Sequence, residues 1–191
     1  MRLLMIAPPG AGKGTQAARV GRQYDLDHIA SGDLLREAVR AGTELGRKVK
    51  RYLDQGELVS DDLVLAIVSD RLKRAKPGGF ILDGFPRTVE QARAADRLFA
   101  ESGEPVDAVI YLDVDREESV RRLLARASEE GRSDDQESTI RHRLDVFETM
   151  TKPLLQYYAD RGLVMAIDGE QPIDTVTEEI LNRLAAKRSK R

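Results

Sequence analysis

Nine residues near the start of the chain carry its densest chemistry: Ala7-Pro8-Pro9-Gly10-Ala11-Gly12-Lys13-Gly14-Thr15. Glycines at this density let backbone N–H groups turn inward and approach a polyphosphate. A helical pattern follows, so the positive end of a helix faces the same anion. Lys13 can reach the β- and γ-phosphates of a bound nucleotide, and the Thr15 hydroxyl can face a divalent cation or its water. The generic form of such a loop has glycine where Ala7 stands, and Ser or Thr where Gly14 stands. If position 7 is left-handed, alanine strains the loop by on the order of 1 kcal/mol; if it ends a strand with negative φ, only crowding matters. The sequence leaves both readings open.

Further groups suited to phosphate and base recognition are spread along the chain: Arg36, Arg87, Arg122, Arg126, Arg132 and Arg143, with Ser31, Asp83, Gln91, Asp134 and Asp135. A guanidinium binds a phosphate through two parallel N–H···O bonds, which a lysine cannot match. Taken singly, each has a plainer role. An arginine on so charged a chain reads first as a solvated surface residue. Gln91 also completes a helix cap with Thr88, Ser31 can cap a helix near Gly32, and Asp83 fits a turn. Asp134 and Asp135 suit the acid-rich start of any helix. What favours chemistry is position: Ser31, Asp83, Arg87 and Gln91 all lie at or just after the C-terminal ends of candidate strands, where doubly wound sheets bind ligands.

The elements that must position these groups follow from hydrophobic patterning. Leu3-Leu4-Met5-Ile6, Phe80-Ile81-Leu82, Ala108 to Leu112 and Leu163 to Ile167 are apolar runs without polar alternation, and His28-Ile29-Ala30 is a weaker fifth. Such runs predict strands buried on both faces, as in a parallel sheet. Helical spacing fills the gaps. Asp61 to Lys73 follows Ser60 as N-cap, Thr88-Val89-Glu90-Gln91 opens a helix to about Ser102, and Asp115 starts another. A long pattern from Glu137 to Arg161 carries Pro153 as its expected kink, and Ile173 to Lys187 closes the fold. Strands alternating with helices predict an α/β doubly wound parallel sheet of five strands with helices on both faces.

Composition narrows the function further. Lys plus Arg number 31 against 33 Asp plus Glu, a net charge of -2, so no surface is expected to coat nucleic acid or a membrane. There is no cysteine and only two histidines, His28 and His142, which removes disulfides, thiol nucleophiles and thiolate zinc sites. The N-terminal apolar run is too short for a signal peptide, and no stretch approaches membrane-spanning length; a soluble, cytoplasmic protein is expected.

Four segments recur in order along nearly the whole chain: Gly12-Lys13-Gly14-Thr15; Ala30-Ser31-Gly32-Asp33-Leu34-Leu35-Arg36; Leu82-Asp83-Gly84-Phe85-Pro86-Arg87-Thr88 followed by Gln91; and Arg132-Ser133-Asp134-Asp135 followed by Arg143. With Thr151-Lys152-Pro153-Leu154-Leu155-Gln156-Tyr157-Tyr158, they make the chain resemble the adenylate kinases among the nucleoside monophosphate kinases. Only Ala127 to Gly131 separate Arg126 from Arg132, which resembles the short-lid bacterial type. Ala7 and Ser31 depart from the family's usual glycine and threonine.

The resemblance implies one P-loop kinase domain over residues 1–191, with a small mobile monophosphate-binding segment at 30–59 and a short lid at 126–136. It implies reversible phosphoryl transfer, ATP plus AMP giving two ADP, by a monomer that uses Mg²⁺ and no zinc and serves adenine nucleotide homeostasis. ATP would lie on Gly10, Ala11, Gly12, Lys13, Gly14, Thr15, Arg122, Arg126 and the backbone of Gln171. AMP would lie on Ser31, Arg36, the backbone of Glu57, Leu58 and Val59, then Gly84, Phe85, Pro86, Arg87 and Gln91. Arg132 and Arg143 would serve the acceptor and the transferring phosphoryl, Asp134 and Asp135 would hold the lid arginines, and Asp83 with Thr15 would hold Mg²⁺ through water. Because the acceptor is an anionic phosphate, no general base is required. The competing expectations are a UMP/CMP kinase, which Ser31, Thr88 and Gln91 argue against, and a nucleotide-binding sensor with an impaired loop. A P-loop ATPase that drives motion is a third, but no water-positioning residue is identifiable.

Overall fold

The structure is a computed structural model that describes residues 1–42, 44–101, 105–130 and 136–189. Five strands, β1 (Arg2–Ile6), β2 (Asp27–Ala30), β3 (Phe80–Asp83), β4 (Ala108–Asp113) and β5 (Val164–Asp168), form one parallel sheet in the order β2-β3-β1-β4-β5. The register sets Met5 beside Asp83 and Ile110, so the loops that follow β1, β3 and β4 leave one edge of the sheet. β2 reaches that edge too, with Ala30 beside Asp83.

Alternation along the strands divides the core. Leu4, Ile6, Ile29, Leu82 and Val109 face one layer, where α4 (Asp61–Leu72), α5 (Val89–Glu101) and α8 (Pro153–Ala159) bury Val68, Ala95 and Tyr158. Leu3, Met5, Ile81, Ile110 and Ile167 face the other, against Ala17 and Val20 of α1 (Lys13–Tyr24) and Ile180 and Leu184 of α9 (Ile173–Arg188). Helices therefore cover both faces, as the unalternating strands require. The two edge strands depart from the expected burial on both faces: in β5 Ala166 and Asp168 are exposed while Met165 and Ile167 are buried, and in β2 Ile29 alone is fully buried.

Between β2 and β3 the chain makes α2 (Ser31–Arg40), α3 (Glu44–Gln55) and α4. After β4 come α6 (Arg116–Glu130) and α7 (Glu137–Val146), joined by a small apolar cluster of Val120, Leu123, Ile140 and Leu144. The long helix expected from Glu137 to Arg161 is interrupted. A π-helical turn spans Phe147–Thr151, with the Lys152 N–H bonded to the Phe147 carbonyl five residues back. The interruption precedes Pro153 instead of bending at it. Pro153 occupies the start of α8, where its missing N–H has no intrahelical partner to lose.

Candidate active site

The loop after β1 takes its shape from two left-handed glycines, Gly10 at φ 85° and Gly12 at φ 83°. A side chain at Gly10 would also collide, since its Cβ would lie 2.8 Å from the Ser119 carbonyl oxygen and 2.9 Å from Leu123 Cγ. Gly12 caps α1, so the helix begins at Lys13 with its N–H groups turned toward the loop. The open question at Ala7 is answered: the single non-glycine residue with positive φ among the described residues is Asp25. Ala7 is a buried strand-end residue whose methyl packs in the α1–α9 core layer, and it carries no left-handed strain.

Lys13 Nζ donates to the Ala7 carbonyl at 3.2 Å. Burial pushes its pKa down to about 8; Asp83 opposes the shift, while the charges of Arg87, Arg143 and Arg126 reinforce it. Four cationic side chains thus converge on a small volume, an arrangement that is costly without an anion to share. Asp83 ends β3 in the same space. Its burial works to raise its pKa, but His28 and Lys13 outweigh that and hold the carboxyl below its ordinary range. His28 Nε2 lies 3.6 Å from Asp83 Oδ2, too far for a hydrogen bond.

Gly84, at φ 77°, is the next fixed point. Its carbonyl accepts from Ser31 Oγ at 2.8 Å and from Arg87 Nε at 2.7 Å, tying the starts of two strand-to-helix loops together. Ser31 therefore does not cap α2, whose N-cap is Ala30. Arg36 is held by Asp33, with Nη2 2.6 Å from Oδ1. Gln91 is buried and fully oriented: Oε1 accepts from the Arg87 N–H at 2.7 Å, and Nε2 donates to Asp61 Oδ1 at 2.7 Å. Thr88 Oγ1 accepts from the Gln91 N–H at 3.1 Å, so the expected cap exists, but its return bond goes to residue 87 instead of residue 88.

Two clefts open along this edge. One, the expected acceptor-side cleft, is lined by Ser31, Arg36, Glu57, Leu58, Val59, Gly84, Pro86, Arg87, Gln91 and Arg143, with an apolar wall of Leu35, Leu53, Val64 and Phe147. The other, the expected donor-side cleft, is lined by Gly10, Gly12, Lys13, Gly14, Thr15, Asp83, Arg122 and Arg126. Lys13, Arg36, Arg87 and Arg143 line both. Arg122 is braced from two sides: Nε donates to Glu118 Oε1 at 2.6 Å, and Nη1 donates to the Gly169 carbonyl at 2.9 Å. Hydrogen bonds from Arg121 and Arg122 hold the Glu118 carboxyl down at about 2.

The side chains of three expected residues line neither cleft. Phe85 is buried in the α4–α5 core layer and lines neither cleft, because in a turn flanked by Gly84 and Pro86 its ring is the one group able to fill the space beneath. Ala11 is likewise buried beneath the loop. Gln171 precedes the N-cap of α9 and lines neither cleft. Arg132, Asp134 and Asp135 lie outside the described residues. The sequence reading missed Asp61, which orients Gln91, and Glu118, which orients Arg122. The i,i+4 spacing of Glu118 and Arg122 was a usable signal, whereas nothing local links Asp61 to Gln91.

The protein-family model described as Adenylate kinase matches residues 5–163. An adenylate kinase of Kocuria rhizophila is 48% identical over 184 residues, covering 96% of this chain and 98% of that protein. Adenylate kinases of Stenotrophomonas maltophilia and Parasynechococcus marenigrum are 46% and 47% identical, over 97% and 96% of this chain and 100% and 98% of theirs. Among the described residues, no helix is long and apolar enough to cross a membrane.

Proposed function

The chain belongs to the adenylate kinase family, and from that premise we propose how its two clefts divide the reaction. Its activity is that of the family: a nucleoside monophosphate kinase that transfers a phosphoryl group between nucleotides. ATP occupies the donor-side cleft, its phosphates on the backbone of Gly10 to Thr15 and on Lys13. AMP occupies the acceptor-side cleft, its phosphate between Arg36 and Arg87 and its adenine against Gln91, Ser31 and the apolar wall. One observation carries this reading: the two clefts meet at four cations, Lys13, Arg36, Arg87 and Arg143.

The chemistry follows from that meeting point. The AMP phosphate is the nucleophile and is already anionic near neutral pH, so no residue need remove a proton. What remains is in-line placement and neutralisation of charge on the transferring phosphoryl, which the four cations supply. Thr15 and Asp83 offer two hard oxygen donors on the donor side, too few to cage an ion alone and well suited to one that arrives on ATP with its own water. Thr15 and Asp83 would hold Mg²⁺ through its water, and the ion would supply positive charge against the phosphates. Residues 30–42 and 44–59 close over AMP, excluding water that would otherwise accept the phosphoryl, and residues 131–135 of the expected lid at 126–136 lie outside the described residues. Gln91 and Ser31 select adenine by hydrogen bonding, and the enzyme acts as a monomer.

ADP formation measured in a coupled assay, with AMP, CMP, UMP and GMP offered separately, tests the reading. A specificity constant for AMP at least about tenfold above each competitor is expected, since unpaired polar groups penalise the wrong base. Preference for CMP or UMP would reverse the acceptor assignment.

A further inference from the structure

Gly56 ends α3 in the left-handed conformation, with φ 74°, and is buried. Capping α3 would explain its backbone but not its surroundings. A Cβ there would lie 2.9 Å from Arg143 Cγ and 3.2 Å from Thr139 Cγ2, so this corner of the chain rests directly on α7. The next residue extends the contact: His142 Nε2 lies 2.8 Å from Glu57 Oε1, the imidazole N–H donating to the carboxylate. Thr139, His142 and Arg143 sit at i, i+3 and i+4, one face of α7, and that face meets Gly56 and Glu57 from 85 positions away in the sequence.

Arg143 lines both clefts and lies close enough to Lys13 for its charge to depress the lysine's pKa. Its stem passes against Gly56. The docked corner therefore fixes where that stem runs, and the acceptor-binding segment and Arg143 arrive as a unit.

We infer that His142 and Glu57 are positioning residues: their hydrogen bond latches the acceptor-binding segment onto α7 and sets Arg143 over the junction of the two clefts. This rests on the assignment of the acceptor-side cleft to AMP. The pair is half exposed, so its strength is modest and is read in substrate binding instead of in folding.

The test measures KM for AMP and for ATP in the wild type, Glu57→Gln, His142→Gln, the double variant, and an exchanged pair carrying Glu57→Lys with His142→Glu. Each single change should raise KM for AMP about three- to fivefold, the range open to an exposed charge-assisted pair. The double variant should be no worse than either single, the exchanged pair should recover most of the loss, and KM for ATP should stay within about twofold. Additive losses in the double variant, or equal rises for ATP and AMP, would overturn the latch, as would unchanged KM values. A wild-type chain that makes no ADP from AMP would instead overturn the functional reading, before any variant is compared. Unfolding temperatures close to wild type in all five proteins tie the changes to binding.

Discussion

At the scale of single residues, the phosphate-binding role proposed for Lys13 runs against stability. Its pKa is depressed to about 8 by burial and by three neighbouring arginines, so the fold penalises the charge that a polyphosphate needs. Lys13→Met should therefore lose roughly 10²–10³-fold in kcat, about 3–4 kcal/mol of transition-state stabilisation, without losing thermal stability. An unfolding temperature that drops with activity would show a structural lysine instead. The same shift fixes a pH dependence. Below about pH 8 Lys13 is charged before ATP arrives, and above it the lysine is mostly neutral. Binding ATP restores the charge, so at pH 9 wild-type protein should take up close to one proton per ATP, and Lys13→Met should take up less. Calorimetry in two buffers of different ionisation enthalpy reads the difference; equal uptake would remove Lys13 from the phosphate site. Lys13, Arg36 and Arg87 were legible in the sequence because each lies inside a compact motif. Asp61 was not, because its partner Gln91 is 30 positions away and the two meet only once α4 packs on α5. Asp61→Asn should leave the fold intact, loosen the Gln91 amide, and narrow the preference for AMP over CMP several-fold. An unchanged preference would mean that Gln91 does not read the base.

At the scale of elements, the turns at the C-terminal ends of the strands do the positioning, and two glycine-type positions test that in opposite directions. Gly84→Ala places a Cβ at φ 77° and 2.9 Å from Ser31 Oγ, and should cost about 1–2 kcal/mol in urea unfolding while weakening AMP binding. Ala7→Gly should also destabilise, by about 1–2 kcal/mol, because it removes a buried methyl and adds chain entropy without relieving any strain. Stabilisation by glycine at position 7 would mean that the loop is left-handed there after all. The strands and most helices could be read from apolar runs and caps, since a parallel sheet covered on both faces leaves little choice of pattern. Two features could not. α3 depends on Val49 and Leu53 at i,i+4 within a strongly charged segment, a signal too short to separate from a surface loop. The π-helical turn at Phe147–Thr151 has no signal in the apolar spacing, and Pro153 marked the neighbourhood of the break but not its form.

At the scale of the whole molecule, two clefts share a cationic junction, and the proposed function makes each of them a nucleotide site. The parallel sheet brings the loops after β1, β2 and β3 to one edge, α6 adds Arg122 and Arg126, and α7 adds Arg143 from the far side. Charge balance over the chain hides this, because the net value of -2 averages a concentrated cluster against acids elsewhere, and only the fold shows where the positive residues meet. If the sites lie end to end, a single molecule of two adenosines joined by five phosphates must span both. Linking the halves makes the second contact intramolecular, so its affinity should exceed that of ATP alone by a factor on the order of 10² or more. Isothermal calorimetry decides the matter: one molecule bound per chain with that gain, much of it lost in Arg87→Ala, is the result predicted, and an affinity no better than that of ATP alone would contradict the two-site account.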